Sequence, residues 1–127
     1  NGAEPYRYKI NNDAWQSSNI FTNLPPGNHS VLVTDLNDCS FSLEQFIPTG
    51  VSYSNTIEAI IMDNCAVSGC HNGTQFPDYR VFENIQTHKD NIRTRTQNKS
   101  MPAGGGSLTQ EQIDLIACWI DDGALAN

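Results

Sequence analysis

The residues with the greatest chemical capacity stand together at Cys65-Ala66-Val67-Ser68-Gly69-Cys70-His71. Two thiols and an imidazole so close in sequence open three chemistries. They can make a disulfide, half of a zinc site that His88 would extend, or a site of covalent haem attachment. In the last, both sulfurs add to the porphyrin vinyl groups and the adjacent imidazole reaches the iron from one face. The usual attachment spacing is C-x-x-C-H. Here Ala66, Val67, Ser68 and Gly69 separate the cysteines, and Ser68-Gly69 supplies the flexibility to absorb the longer spacing. Zinc would want a fourth ligand, and no second Cys/His pair occurs at zinc spacing.

A haem iron that cycles electrons without an open coordination position needs a second axial ligand, and a thioether in that place raises the reduction potential. The chain has two methionines. Met62 falls inside a helical stretch one turn before Cys65 and is predicted to pack as core. Met101 precedes Pro102 in a glycine-rich loop, beyond His71 and before the last helix, where no helical geometry restrains it. Met101 is therefore the candidate distal ligand, with His88 next in line.

The elements that must position these residues fall into two parts. Residues 1–50 alternate short β-forming runs with turns: Tyr6-Arg7-Tyr8-Lys9-Ile10, then Leu24-Pro25-Pro26-Gly27-Asn28 as a break, then Ser30 to Asp35, the turn Asn37-Asp38, and Cys39 to Leu43. They predict four or five strands of an antiparallel sandwich. Residues 51–127 switch to helical period. Asn55 with Glu58 reads as a cap for a helix carrying Ile57, Ile60 and Ile61 on one face. Further helices are predicted over Asp78 to Ile85 and from Thr87 toward Arg95. A last helix has Thr109 with Gln112 as its capping box, Leu108 stapled against Ile113, a stripe of Ile113, Ile116, Ala117 and Ile120, and a stop at Gly123. The expected class is α+β in two parts, a partial all-β sandwich followed by a small all-α domain whose short helices need tertiary packing. So few large apolar side chains leave the α part in want of something to complete its core.

Composition narrows the function. The chain has 127 residues with 14 acidic and 7 basic side chains, a net charge of −7. Its one basic excess is the scatter Lys89, Arg93, Arg95 and Lys99, so nucleic acid is not an expected partner. Apolar runs such as Ala59 to Met62 are far below the ~20 residues of a membrane helix, and no membrane span is expected. The chain opens at Asn1-Gly2-Ala3-Glu4 without Met or leader features, so any signal peptide would lie upstream.

Residues 56–127 resemble a class I c-type cytochrome domain of the C-x4-C-H variant. The likeness rests on three features in order: Cys65 through Cys70-His71, Ser100-Met101-Pro102, and Trp119-Ile120-Asp121-Asp122-Gly123-Ala124. It implies haem c bound covalently by Cys65 and Cys70, His71 as proximal and Met101 as distal iron ligand, crossing first and last helices, and Trp119 near the haem edge. Residues 1–50 are similar to the immunoglobulin-like repeats of bacterial surface and gliding-motility adhesins, through Glu4-Pro5-Tyr6-Arg7-Tyr8, Asn23-Leu24-Pro25-Pro26-Gly27 and Val31 to Cys39.

The remaining residues are assigned within that picture. Arg93 or Arg95 is the candidate for pairing with the haem propionates, since guanidinium binds carboxylate in a bidentate fork. His29 and His88 are expected at the surface. Cys118 is expected as a thiol beside the apolar stripe, with a disulfide to Cys39 as the alternative. The function expected is single-electron transfer between redox partner proteins in the periplasm or at the cell surface, without catalysis. Two alternatives stand: a haem-free structural or adhesive module with a Cys65–Cys70 disulfide, and the electron-accepting module of a larger redox enzyme. Too few strands for a closed sandwich also predicts an open sheet edge, which upstream residues or a neighbouring chain would fill, the latter giving a homopolymer by strand addition.

Overall fold

The computed structural model describes residues 2–104 and 106–127, and combines a three-stranded antiparallel sheet with four α-helices. The chain divides into two compact units, Asn1–Pro48 and Thr49–Asn127, two residues before the boundary expected from composition.

In the first unit β1 (Arg7–Ile10), β2 (Gly27–Thr34) and β3 (Ser40–Ile47) form one sheet in the order β1-β2-β3. The register pairs Tyr8 with Val33, Ile10 with Val31, Val33 with Phe41, and Val31 with Leu43. One face is therefore almost wholly apolar, because side chains on paired residues share a face. The expectation of four or five strands is corrected to three. Residues 11–26 make only a single bridge, Gln16 to Tyr8, because Pro25, Pro26 and repeated Asn and Ser favour turns over a ladder. Conversely, Gly27 and Asn28, expected in the break, already belong to β2.

Polar groups hold this unit together. The Asp35 carboxylate accepts from the backbone N–H of Ala3 (3.0 Å), Asn37 (2.9 Å) and Cys39 (2.9 Å), closing the β2–β3 turn. Those bonds, led by the one from Ala3, hold its pKa below the ordinary value. His29 was expected at the surface and is instead buried. Its Nε2 donates to the Pro25 carbonyl at 2.8 Å and its Nδ1 accepts from the Asn11 amide at 3.0 Å. The ring pins the 11–26 loop to the sheet, a long-range duty that its neighbours in sequence do not announce.

The second unit begins with a π-helical turn, Tyr53–Ile57, running into α1 (Glu58–Asn64). Ser52 is the cap, and its hydroxyl accepts from the Asn55 N–H at 3.3 Å, so Asn55 lies inside the turn and does not cap. Helices α2 (Phe82–Thr87) and α3 (Lys89–Gln97) follow, each two to four residues later than sequence periodicity placed them. Helix α4 (Gln110–Asp121) has the expected capping box: Thr109 N–H donates to Gln112 Oε1 at 2.9 Å and Gln112 N–H to Thr109 Oγ1 at 3.2 Å. Gly123, at φ +100°, takes the left-handed position that ends the helix, and Ala124 N–H bonds back to the Trp119 carbonyl at 2.9 Å.

Ile57, Ile60 and Ile61 join Ile85, Ile92, Ile116, Trp119 and Ile120 in one apolar cluster. Trp119 takes the place in it that Ala117 was expected to fill, since α4 turns its larger side chain inward. Met62, expected as core, is only half-buried and stands outside that cluster. The two ends of the unit are tied together. Asp122 accepts from Thr49 and Gly50, while Asn127 bonds Ser52, Tyr53 and Ser54. Among the described residues no helix is long and apolar enough to cross a membrane.

Candidate functional site

Helix α1 stops at Cys65, whose N–H still bonds Ile61 O at 2.8 Å, and the chain then folds into a compact loop. His71 N–H donates to Cys65 O at 3.1 Å, Cys70 N–H to Val67 O at 3.0 Å, and Tyr79 N–H to His71 O at 2.8 Å. Gly69, at φ +82°, makes the turn that brings Cys70 and His71 back beside Cys65. The loop closes with Asp78 and Arg80. The Arg80 guanidinium grips the Asp78 carboxylate at 3.0 and 2.7 Å, and that hydrogen bonding holds the Asp78 pKa down to about 2. Arg80 packs so tightly over Gly73 that a Cβ there would meet Nη2 at 2.5 Å.

This loop fixes the imidazole. His71 Nδ1 lies 2.9 Å from the Pro77 carbonyl, which can only accept, so Nδ1 carries the proton and Nε2 holds a free lone pair. The ring lies against Tyr79, centroids 4.5 Å apart and tilted by 35°. A metal-binding imidazole is typically oriented by such a carbonyl partner on its other nitrogen.

Cys65, Cys70, His71 and Met101 all border one cavity of about 350 Å³, within the usual ligand-pocket range of about 300–1,000 Å³. Helix α3 and its N-cap residue form a wall through His88, Asn91, Ile92, Arg95 and Thr96, whose spacing puts them on one helical stripe. Met101 is positioned by its N–H, which donates to Arg95 O at 3.1 Å as the chain leaves α3. Two segments remote in sequence thus bring two thiols, an imidazole and a thioether to a shared space. Thiols, an imidazole and a thioether are side chains able to hold iron or a porphyrin, and here they share one cavity.

Burial pushes the Cys65 thiol up to about 11, with the neighbouring Cys70 adding to the rise. At neutral pH the Cys65 thiol therefore stays protonated until a bound group or an oxidant acts on it. All four cysteines are free. Among the described residues no group of three His, Cys, Asp or Glu side chains gathers as a metal site.

The other expected site residues separate. Arg95 lines the cavity, whereas Arg93 forks onto Asp121 of α4 and is absent from the lining. Trp119 is buried in the core, its Nε1 donating to Leu125 O at 2.9 Å, and is also absent from the lining. His88, expected at the surface, is half-buried on the cavity wall, edge-on to Phe76 at 5.5 Å. Sequence reading missed Tyr79, Phe76 and Asn91 as well. The 88-91/92-95/96 spacing was the available signal, hidden because four of those five residues are polar. Set against protein-family models, curated proteins and solved structures, the chain matches none.

Proposed function

We propose that residues 49–127 are a monohaem c-type cytochrome module that carries single electrons between protein partners outside the cytoplasm, in the periplasm or at the cell surface. The first unit, on this reading, is a partial immunoglobulin-like adhesin repeat that presents the module. The observation that carries the proposal is the convergence of Cys65, Cys70, His71 and Met101 on one cavity. When bound, haem supplies a one-electron iron couple.

The chain's part is to hold and tune. Cys65 and Cys70 anchor, and His71, held by Pro77 in the Nδ1–H form, offers Nε2. Met101 offers a thioether, which favours the ferrous state. Arg95 lies where it can bind a carboxylate, while Arg93, engaged with Asp121, leaves that duty to it. With His71 and Met101 both holding the iron, the module would pass electrons in preference to taking up a substrate.

The test is intact mass after denaturation and acid–organic extraction, on protein exported in a host with haem-attachment machinery. One haem retained on the polypeptide is expected, and Cys65→Ala with Cys70→Ala should abolish it. A bare polypeptide mass, or one lower by two hydrogens, would overturn the reading. Met101→Ala should remove the methionine-to-iron absorption band and lower the potential; an unchanged spectrum would pass the distal role to His88.

A further inference from the structure

We propose that the first unit pairs with a second copy of this chain through the outer edge of β3, joining two sheets into one and closing at a dimer. The backbone pattern shows which groups are free. Asn11 N–H donates to Ser30 O on one side of β1, while Tyr8 exchanges bonds with Gln16 on the other. Ser30, Leu32 and Thr34 therefore turn their backbone groups toward β1, and Val31 and Val33 turn theirs toward β3. Since Val31 pairs with Leu43 and Val33 with Phe41, the N–H and C=O groups of Ser40, Ser42, Glu44 and Phe46 point out of the sheet. Among the described residues these meet one partner, the Gln45 side-chain amide, which donates to Phe46 O at 3.0 Å.

This edge has none of the usual protections. It carries no Lys, Arg or Pro, its one charge is Glu44, and Phe41 and Leu43 are 68% and 52% exposed. It is also complementary to itself. Antiparallel pairing centred on Leu43 sets Leu43 against Leu43 of the second copy at a non-hydrogen-bonded position, where side chains approach most closely. Ser42 then faces Glu44, Ser40 faces Phe46, and Phe41 faces Gln45. Outward backbone groups meet outward backbone groups, and the apolar faces of both sheets lie on the same side. A one-residue slip would put them on opposite sides, and centring on Glu44 would set like charges face to face. Among the described residues the outer edge of β1 is occupied at Tyr8 by Gln16, and that of β3 is open. A contact that uses it in both copies is two-fold and stops at two, in place of the fibre that head-to-tail strand addition would build.

Sedimentation velocity and light scattering of the whole chain, from micromolar to millimolar, test this. A monomer–dimer equilibrium is expected, with the Ser42 and Glu44 amides exchanging more slowly as dimer forms. Ser42→Pro removes an outward N–H and no β2–β3 bond, and Leu43→Lys sets two ammonium groups at the centre of the contact. Each should weaken dimerisation by about tenfold or more. If Ser42→Pro loses the sheet by circular dichroism, Leu43→Lys, which keeps every backbone bond, decides. A single-chain mass at every concentration, a dimer that Leu43→Lys leaves intact, or particles larger than two would overturn the proposal.

Discussion

The two units keep their folds by opposite means. In the helical unit Trp119, Ile57, Ile61, Ile85 and Ile116 are fully buried, whereas in the sheet unit Ile10 is the buried apolar side chain and His29, Thr34 and Asp35 are buried beside it. Trp15, Ile20, Leu36, Phe41, Leu43 and Phe46 all remain exposed there. A single sheet with one strongly apolar face cannot enclose that face, so polar tethers take over its loops. A few helices folded on one another can enclose theirs, and keep a cavity beside the packed core.

Substitutions can break that contrast. The largest effect belongs to Trp119→Ala, expected to cost about 3–5 kcal/mol in denaturant unfolding and to fall on helical-unit amides, leaving those of β1–β3 untouched. Next, His29→Ala should cost about 1–3 kcal/mol, by stranding the Pro25 carbonyl and the Asn11 amide, and should loosen only the sheet unit. If His29→Ala destabilised α4 equally, the division into separate stabilising schemes would fail. Thr109→Ala removes half of a capping box and should cost about 1 kcal/mol, seen first as fraying of Gln110 to Gln112 by hydrogen exchange.

The smallest effect is in acid. The Asp78 carboxyl has a folded pKa of about 2 against an ordinary 3.8, so its contribution to the 72–80 loop is complete above 3.8 and is lost as pH falls toward 2. Carboxyl-carbon NMR should follow that titration, and Arg80→Ala should move it back toward 3.8. Asp35, lowered by backbone N–H bonds, should titrate below 3.8 with no response to that change.

What could be read from sequence follows the range of the interactions. Thr109, Gln112 and Gly123 act within one turn of α4, and both its ends were legible. The Cys65, Cys70, His71 and Met101 set was legible as residue types at suggestive spacings, and the cavity gathers all of it. Ser52 was missed as a cap, although its bond to Asn55 is local, because Asn55 with Glu58 offers a second capping pattern three residues later. His29 was misplaced because the 11–26 loop buries it, and His88 because it faces the cavity wall against Phe76. The polar stripe of α3 gave no hydrophobic period, although its period is helical. Arg93, read with Arg95 as a carboxylate partner, forks onto Asp121, which reaches it only once α3 and α4 are packed.

The tie between Ser52, Tyr53 and Asn127 bears on timing. Those bonds join positions 74 or 75 apart, and the Thr49–Asp122 bonds span 73. Closing so long a loop carries an entropic cost that the contacts repay only after α4 exists. As the chain emerges N-terminus first, the sheet unit, whose strand pairings all lie within the first 48 residues, can form while the helical unit is still an unclosed string. On the proposed haem reading, Cys65, Cys70 and His71 would then stand on open chain for an interval, accessible to an attachment machinery. A cofactor fastened in that interval would be in place before α4 arrives, and would be part of what the last helix folds against.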